Sequence, residues 1–303
     1  MSQLVKCWPG LKCGITLAVY TSHCVATRPP EHTPPTSRIL FQPITPEKPI
    51  PSRSPAITRA LVNPTNEELI GTALPYFPMA GPPPKDLLTT GWGGASAGSG
   101  MLYAVQSVDG IVNLHGGPAL REACRKMPIQ ETEELIGGGG NRSGGVGWVR
   151  CPVGSAVITE AFGHAIMRHY NFIIHSVPPL WPGVGGSNWS EEKAKYLLTS
   201  CYYESFKMGF SNGAAIVTAP LMGAGARRVP VSIAIDCAVK GVLDAMDVSC
   251  NTQKGKGHIK SIEDLKTPKP WPPIAAELVV LEPRIADEIV NVIDNLIEAA
   301  AAG

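Results

Sequence analysis

Phe172-Ile-Ile-His-Ser-Val177 is a continuous apolar run closed by Pro178-Pro179, and Ala214-Ala-Ile-Val-Thr-Ala219 is a second such run further along the chain. Short apolar runs without polar alternation suit strands buried on both faces, as in a parallel sheet. Between them, residues 190–209 read as a helix. Ser190 can cap its N-terminus, Glu191 and Glu192 favour that end of the macrodipole, and Lys207 lies near the other end. Strand, helix, strand in this order predicts an α/β fold.

Working outward, the pattern repeats. After Ala219, residues 220–230 read as a loop and 231–246 as a helix. Residues 251–273 are polar, lysine-bearing and proline-ended, hence a loop. Glu277-Leu-Val-Val-Leu-Glu282 is a strand, and residues 285–302 form a helix with Ile285, Ile289, Val292, Ile293 and Leu296 on one face. Towards the N-terminus, 153–159, 57–62 and 15–20 are strand-like. Residues 118–127 suit a short helix with Pro118 at its first position. The alternation predicts a layered α/β domain around a mixed sheet, its ligand site beyond the carboxyl ends of the strands.

The chain has 303 residues, 44% hydrophobic and 17% charged, with a net charge of +1. That is enough for one large domain with a substantial core. We read residues 1–303 as that single domain. The near-zero charge offers no field for nucleic acid. No apolar run approaches the ~20 residues of a membrane span. The 29 prolines and 32 glycines are about a fifth of the chain, against roughly an eighth in average usage. They concentrate in two expected insertions, 28–55 (proline-rich) and 69–107 (proline- and glycine-rich). A further glycine run, 137–147, reads as a connector.

Eight cysteines stand without a Cys-x-x-Cys pair, and the histidines show no metal spacing. Reduced buried thiols, no metal and no cofactor are the expectation. Lys6, Lys12 and Arg28 precede the first acid, Glu31, a bias shared with organellar leaders. Residues 15–20 read equally well as a strand. An intracellular protein is expected, with cytoplasm and mitochondrion both open.

Three loops fall at the predicted sheet edge. Asn63 and Asn66 end the strand 57–62, where side-chain amides can bond sugar hydroxyls or close an Asx turn. Asp109, followed by Gly110, comes after the Gly/Ser/Ala-rich stretch 91–100. Its carboxylate could accept a ribose hydroxyl, position a water as general base, or cap a helix. Gly223, Ala224, Gly225, Ala226 and Arg227 lie between a buried strand and a helix, the setting in which backbone N–H groups cradle phosphate. A plain turn is the alternative. His175, inside an apolar strand, reads as a satisfied core histidine.

Several motifs in order resemble the macrodomain family, which binds ADP-ribose. They are Val62-Asn-Pro-Thr-Asn-Glu67, Val108-Asp-Gly with Gly117-Pro and Leu120, Val149-Arg-Cys-Pro-Val-Gly-Ser-Ala-Val-Ile-Thr159, Ile173-Ile-His-Ser-Val-Pro178, and Ala219-Pro-Leu-Met-Gly-Ala-Gly225 with Pro230. The resemblance implies a three-layer α/β/α fold. It implies that Asn66 and the loop around Asp109 and Gly110 face the distal ribose, and that the loop from Gly223 to Arg227 wraps the diphosphate. In hydrolase members the aspartate matching Asp109 helps a water attack, and the asparagine matching Asn66 orients the ribose. Asp109 and Asn66 are therefore the candidate catalytic residues, for hydrolysis of ADP-ribosyl or O-acyl-ADP-ribose linkages.

The chain departs from the family pattern at several points. Ser22-His23-Cys24 stands where members carry the Gly-Asp-Ile that reads adenine. Asn113 replaces a common histidine, and Arg227 stands in place of an aromatic residue over the ribose. These departures leave a second reading open, a degenerate macrodomain serving as a structural subunit, with the proline-rich insertions wrapped on a protein partner. A hydrolase for another nucleotide sugar is a third.

Overall fold

A computed structural model describes residues 2–12, 15–22, 57–69, 108–130, 149–184, 187, 189–225, 227–256, 275–280 and 282–302. The strands are β1 (Ser2–Lys12), β2 (Ile15–Ser22), β3 (Arg59–Pro64), β4 (Ala156–Glu160), β5 (Phe172–Ser176), β6 (Ile216–Pro220) and β7 (Ala275–Val280). The helices are α1 (Val108–Arg125), α2 (His164–Met167), α3 (Glu191–Ser211), α4 (Val231–Lys256) and α5 (Pro283–Ala302). The strands form one sheet in the order β1-β2-β7-β6-β3-β5-β4. The five inner strands run parallel, while β1 and β4 pair antiparallel at the two edges. The sheet is thus mixed, as expected.

Alternate residues of each inner strand face opposite layers. On one face Ala60, Val62, Ile174, Val217, Ala219, Ala276 and Leu278 pack against Leu198, Tyr202 and Phe206 of α3, Ile235 and Ala238 of α4, and Ile289 and Ile293 of α5. On the other, Leu61 and Ile173 pack against Val112, Leu120 and Cys124 of α1 and Ile166 of α2. The result is the three-layer α/β/α arrangement. Ser190 caps α3 as predicted, its hydroxyl accepting from the Lys193 N–H at 3.2 Å.

Several elements differ from the sequence reading. Ser2–Lys12 is an edge strand, although Pro9 and Gly10 disfavour strand. Its register shifts between Trp8 and Lys12, where an edge tolerates proline. It is tied to α5 through Asp294, which accepts from Lys6 Nζ at 2.6 and 2.7 Å and from Trp8 Nε1 at 3.0 Å. The helix expected at 118–127 begins ten residues earlier, at Val108. It kinks at Gly117 (φ 62°, ψ −157°), just before Pro118. Glycines make the segment 108–117 a poor helix by propensity. Burial of Asp109, Gly110, Val112 and Asn113 against the sheet overrides that.

The α4 helix continues to Lys256, so 251–256 are helical where a loop was expected. Residues 257–273, the insertion 28–55, residues 70–107 of the second insertion, and the glycine runs 91–100 and 137–147 lie outside the described residues. So do His23, Cys24 and Ala226. Among the described residues, no helix is long and apolar enough to cross a membrane. Cys124, Cys151, Cys201 and Cys237 are free and buried, and Cys7 is free and partly buried.

Candidate functional site

Parallel pairing of β3, β5 and β6 brings their carboxyl ends to one edge, and α1 starts against that edge. Asn63, near the end of β3, shares a sheet face with Leu61 and so points into the α1 layer. Its Nδ2 donates to Asp109 Oδ1 at 3.0 Å and lies 3.3 Å from His175 Nδ1 of β5. Asp109 is in the first turn of α1, where the helix dipole favours a negative charge. Asn113, one turn on, donates through Nδ2 to Asp109 Oδ1 at 3.0 Å and to the Asp109 carbonyl at 2.9 Å. Asp109 is 1% exposed and Asn63 fully buried. One oxygen of each, Asp109 Oδ2 and Asn63 Oδ1, has no hydrogen-bond partner.

Burial pushes the Asp109 carboxyl up to about 6 from its ordinary 3.8. The side chains of Asn63, Thr65 and Asn113 and the charge of Arg227 oppose that shift without cancelling it. Arg227 belongs to the loop after β6 and is itself buried. One terminal N–H donates to the Thr65 carbonyl at 3.1 Å, while its Nε has no partner. The guanidinium thus joins the β6 loop to the Thr65-Asn66 turn.

The loop has its own supports. Tyr202, buried on α3, accepts from the Met222 N–H at 2.5 Å and donates to the Pro220 carbonyl at 3.2 Å. Gly223 has φ +85°, and an added Cβ would sit 3.0 Å from Val229, so only glycine meets both demands without strain. Arg228 has φ 58°, an uncommon value for a residue with a side chain.

Of the residues expected at the site, Asn63 and Asp109 touch directly, and Gly110 is buried next to Asp109. Asn66 is buried, its carbonyl accepting from the Leu69 N–H at 3.1 Å. Gly223 is buried, Ala224 half-buried and Gly225 exposed. Sequence reasoning did not single out Thr65, Thr159 or Tyr202, and it noted Asn113 without giving it a partner. The i, i+4 spacing of Asp109 and Asn113 is a signal that could have joined them. His175 is a partnered core residue as expected. Burial lowers its ring to about 4, from an ordinary 6.5.

Residues 96–238 match the family model described as Macro domain. An O-acetyl-ADP-ribose deacetylase from Citrobacter koseri is 32% identical over 149 residues, which are 49% of this chain and 69% of that relative. The chain belongs to the macrodomain family. A macro domain-containing protein of Streptomyces nogalater is 31% identical over 147 residues, 48% of this chain and 67% of the relative. Among solved structures, the Oceanobacillus iheyensis macrodomain with ADP superposes with a TM-score of 0.53 at 16% identity. That likeness covers 99% of this chain and 98% of that one, and it bears on the fold alone. The family match starts at residue 96, after β3. What joins Asn63 to Asp109, inside the matched region, is the packing of α1 on β3 and the hydrogen bond between the two side chains.

Proposed function

We propose that this macrodomain binds ADP-ribose or a related ADP-ribosyl nucleotide and hydrolyses O-acyl-ADP-ribose or ADP-ribosyl linkages. The observation that carries the reading is the pair of buried, unpartnered acceptors in one cluster, Asp109 Oδ2 and Asn63 Oδ1. An unpaired buried polar atom costs about 1–3 kcal/mol, so these oxygens suit a ligand that brings hydroxyl donors, as a ribose does. The unpartnered Nε of Arg227 suits a phosphate or carbonyl oxygen. The relatives named O-acetyl-ADP-ribose deacetylase support the substrate class.

In the reaction, Asp109 Oδ2 takes a proton from a water as its oxygen attacks the acyl or ribosyl carbon. The bond from that carbon to the leaving oxygen breaks, and the leaving oxygen recovers a proton. With a carboxyl near 6, Asp109 is mostly ionised at neutral pH and still basic enough to accept the proton. Asn66 and Gly110 would bind the distal ribose, and the loop Gly223, Ala224, Gly225, Ala226 and Arg227 the diphosphate.

Isothermal calorimetry with ADP-ribose tests the binding, and heat with a saturable isotherm is expected. No heat at millimolar ligand would sink the proposal. Release of acetate from O-acetyl-ADP-ribose tests the hydrolysis.

A further inference from the structure

Behind the Asp109 carboxylate runs a buried chain that crosses from α1 through β3 and β5 to β4. Asn63 Nδ2 lies 3.0 Å from Asp109 Oδ1 and 3.3 Å from His175 Nδ1. On the far side of the ring, His175 Nε2 lies 3.0 Å from Thr159 Oγ1 and 3.7 Å from Cys124 Sγ. All five residues are buried.

Donor and acceptor chemistry fixes the direction of this chain. An ionised carboxylate only accepts, so the Asn63 amide must turn its NH2 towards Asp109. The same NH2 then faces His175 Nδ1, which must be the unprotonated nitrogen. The ring proton is on Nε2, donated to the Thr159 hydroxyl. Both amide hydrogens of Asn63 are thereby used, and its oxygen faces no donor. Turning the amide over would set its oxygen against the carboxylate.

We propose that His175, as its neutral Nε2–H tautomer, is a positioning residue for Asp109. It pins the Asn63 amide so that one Asp109 oxygen is tied down and the other, together with Asn63 Oδ1, stays free to accept from ligand. This inference rests on the binding reading above and deepens it. His175 touches no ligand. It acts through Asn63.

Two near-isosteric substitutions separate positioning from packing. In His175→Asn the short amide can put an oxygen where Nδ1 was. In His175→Gln the longer amide reaches the Thr159 side and leaves Asn63 without its acceptor. Calorimetry with ADP-ribose should show His175→Asn within about threefold of the parent protein and His175→Gln about tenfold weaker, the worth of one hydrogen bond. With O-acetyl-ADP-ribose, the deficit of His175→Gln should fall more on kcat than on KM. Thermal midpoints of the two variants should agree. If both variants lose affinity equally, or neither loses any, the proposal is overturned.

A third measurement needs neither a variant nor a ligand. Ring ¹⁵N shifts of the parent protein should show an Nε2–H tautomer, with a scalar coupling from the Asn63 amide to Nδ1. An Nδ1–H tautomer overturns the proposal. Should the parent protein bind no ADP-ribose, the functional reading falls, and this measurement still decides the role of His175.

Discussion

Two buried carboxylates project on the same side of the sheet, and their surroundings differ in kind. Glu277 of β7 has both oxygens engaged. Thr218 Oγ1 donates to Oε2 at 2.7 Å, and Arg59 reaches Oε1 at 3.3 Å and Oε2 at 3.5 Å. Asp109 receives two amides on one oxygen and none on the other. Its neighbouring cation, Arg227, bonds a backbone carbonyl instead. An acid paired on both oxygens and facing a cation serves the fold. An acid held on one oxygen by neutral amides keeps a basic atom in reserve. The difference teaches that burial alone does not distinguish the two acids; what does is the unmet valence at Asp109 Oδ2.

The widest gap expected between the two acids is in activity. Asp109→Asn should lower hydrolysis of O-acetyl-ADP-ribose by about 10²-fold or more, the usual worth of a positioned general base. Glu277→Ala should leave kcat/KM unchanged. Initial rates at saturating and limiting substrate check both. A Glu277 variant as impaired as the Asp109 variant would dissolve the distinction.

The pH dependence of stability comes next. The Asp109 carboxyl is raised to about 6 and the His175 ring lowered to about 4. Between pH ~4 and 6 the folded protein holds more protons at Asp109 than the unfolded chain does. That contribution therefore falls as pH rises. At His175 the unfolded chain holds more protons between pH ~4 and 6.5, so its contribution rises with pH. Each is on the order of 3 kcal/mol across its window, and in the parent protein they largely cancel. Asp109→Asn should expose a stability that climbs from pH 4 to 6.5, and His175→Asn one that declines from pH 4 to 6. Denaturant unfolding at half-unit pH steps measures the slopes, and a flat profile in Asp109→Asn would contradict the account.

Stability at neutral pH should reverse the ranking of the two acids. Glu277→Ala strips Thr218 and the partly exposed Arg59 of their acceptor and should cost about 2 kcal/mol. Asp109→Asn should not lower the unfolding free energy. The smallest effect is Thr218→Val, which removes one hydrogen bond to Glu277 and should cost about 1 kcal/mol. Thermal melts of the three variants test the order.

The sequence made the parallel strands legible because β3, β5, β6 and β7 are short, mainly apolar runs with only isolated polar residues and no regular alternation to misread. It made the α3 start legible because Ser190 and the two following glutamates act locally. It hid β1, since Pro9 and Gly10 speak against a strand and the pairing with β2 and α5 speaks for it. It hid the first half of α1 for a similar reason, because glycine propensity is local and the burial that overrides it is not. Asn63, Asn66, Asp109 and Gly223 could be named as candidates from motif and order. That Asn63 and Asn113 share one oxygen of Asp109 could not be read from spacing between segments.

By itself, then, the chain determined the alternation of strands and helices, membership in the macrodomain family, and the short list of polar residues at the strand ends. Tertiary structure decided which oxygen of Asp109 is tied, that the two ring nitrogens of His175 face Asn63 and Thr159, and that Arg227 donates to the Thr65 carbonyl. These are contacts between residues 46, 112 and 162 positions apart. Hydrogen bonds of this kind depend on distance and direction in space, which sequence order does not carry until the sheet is assembled.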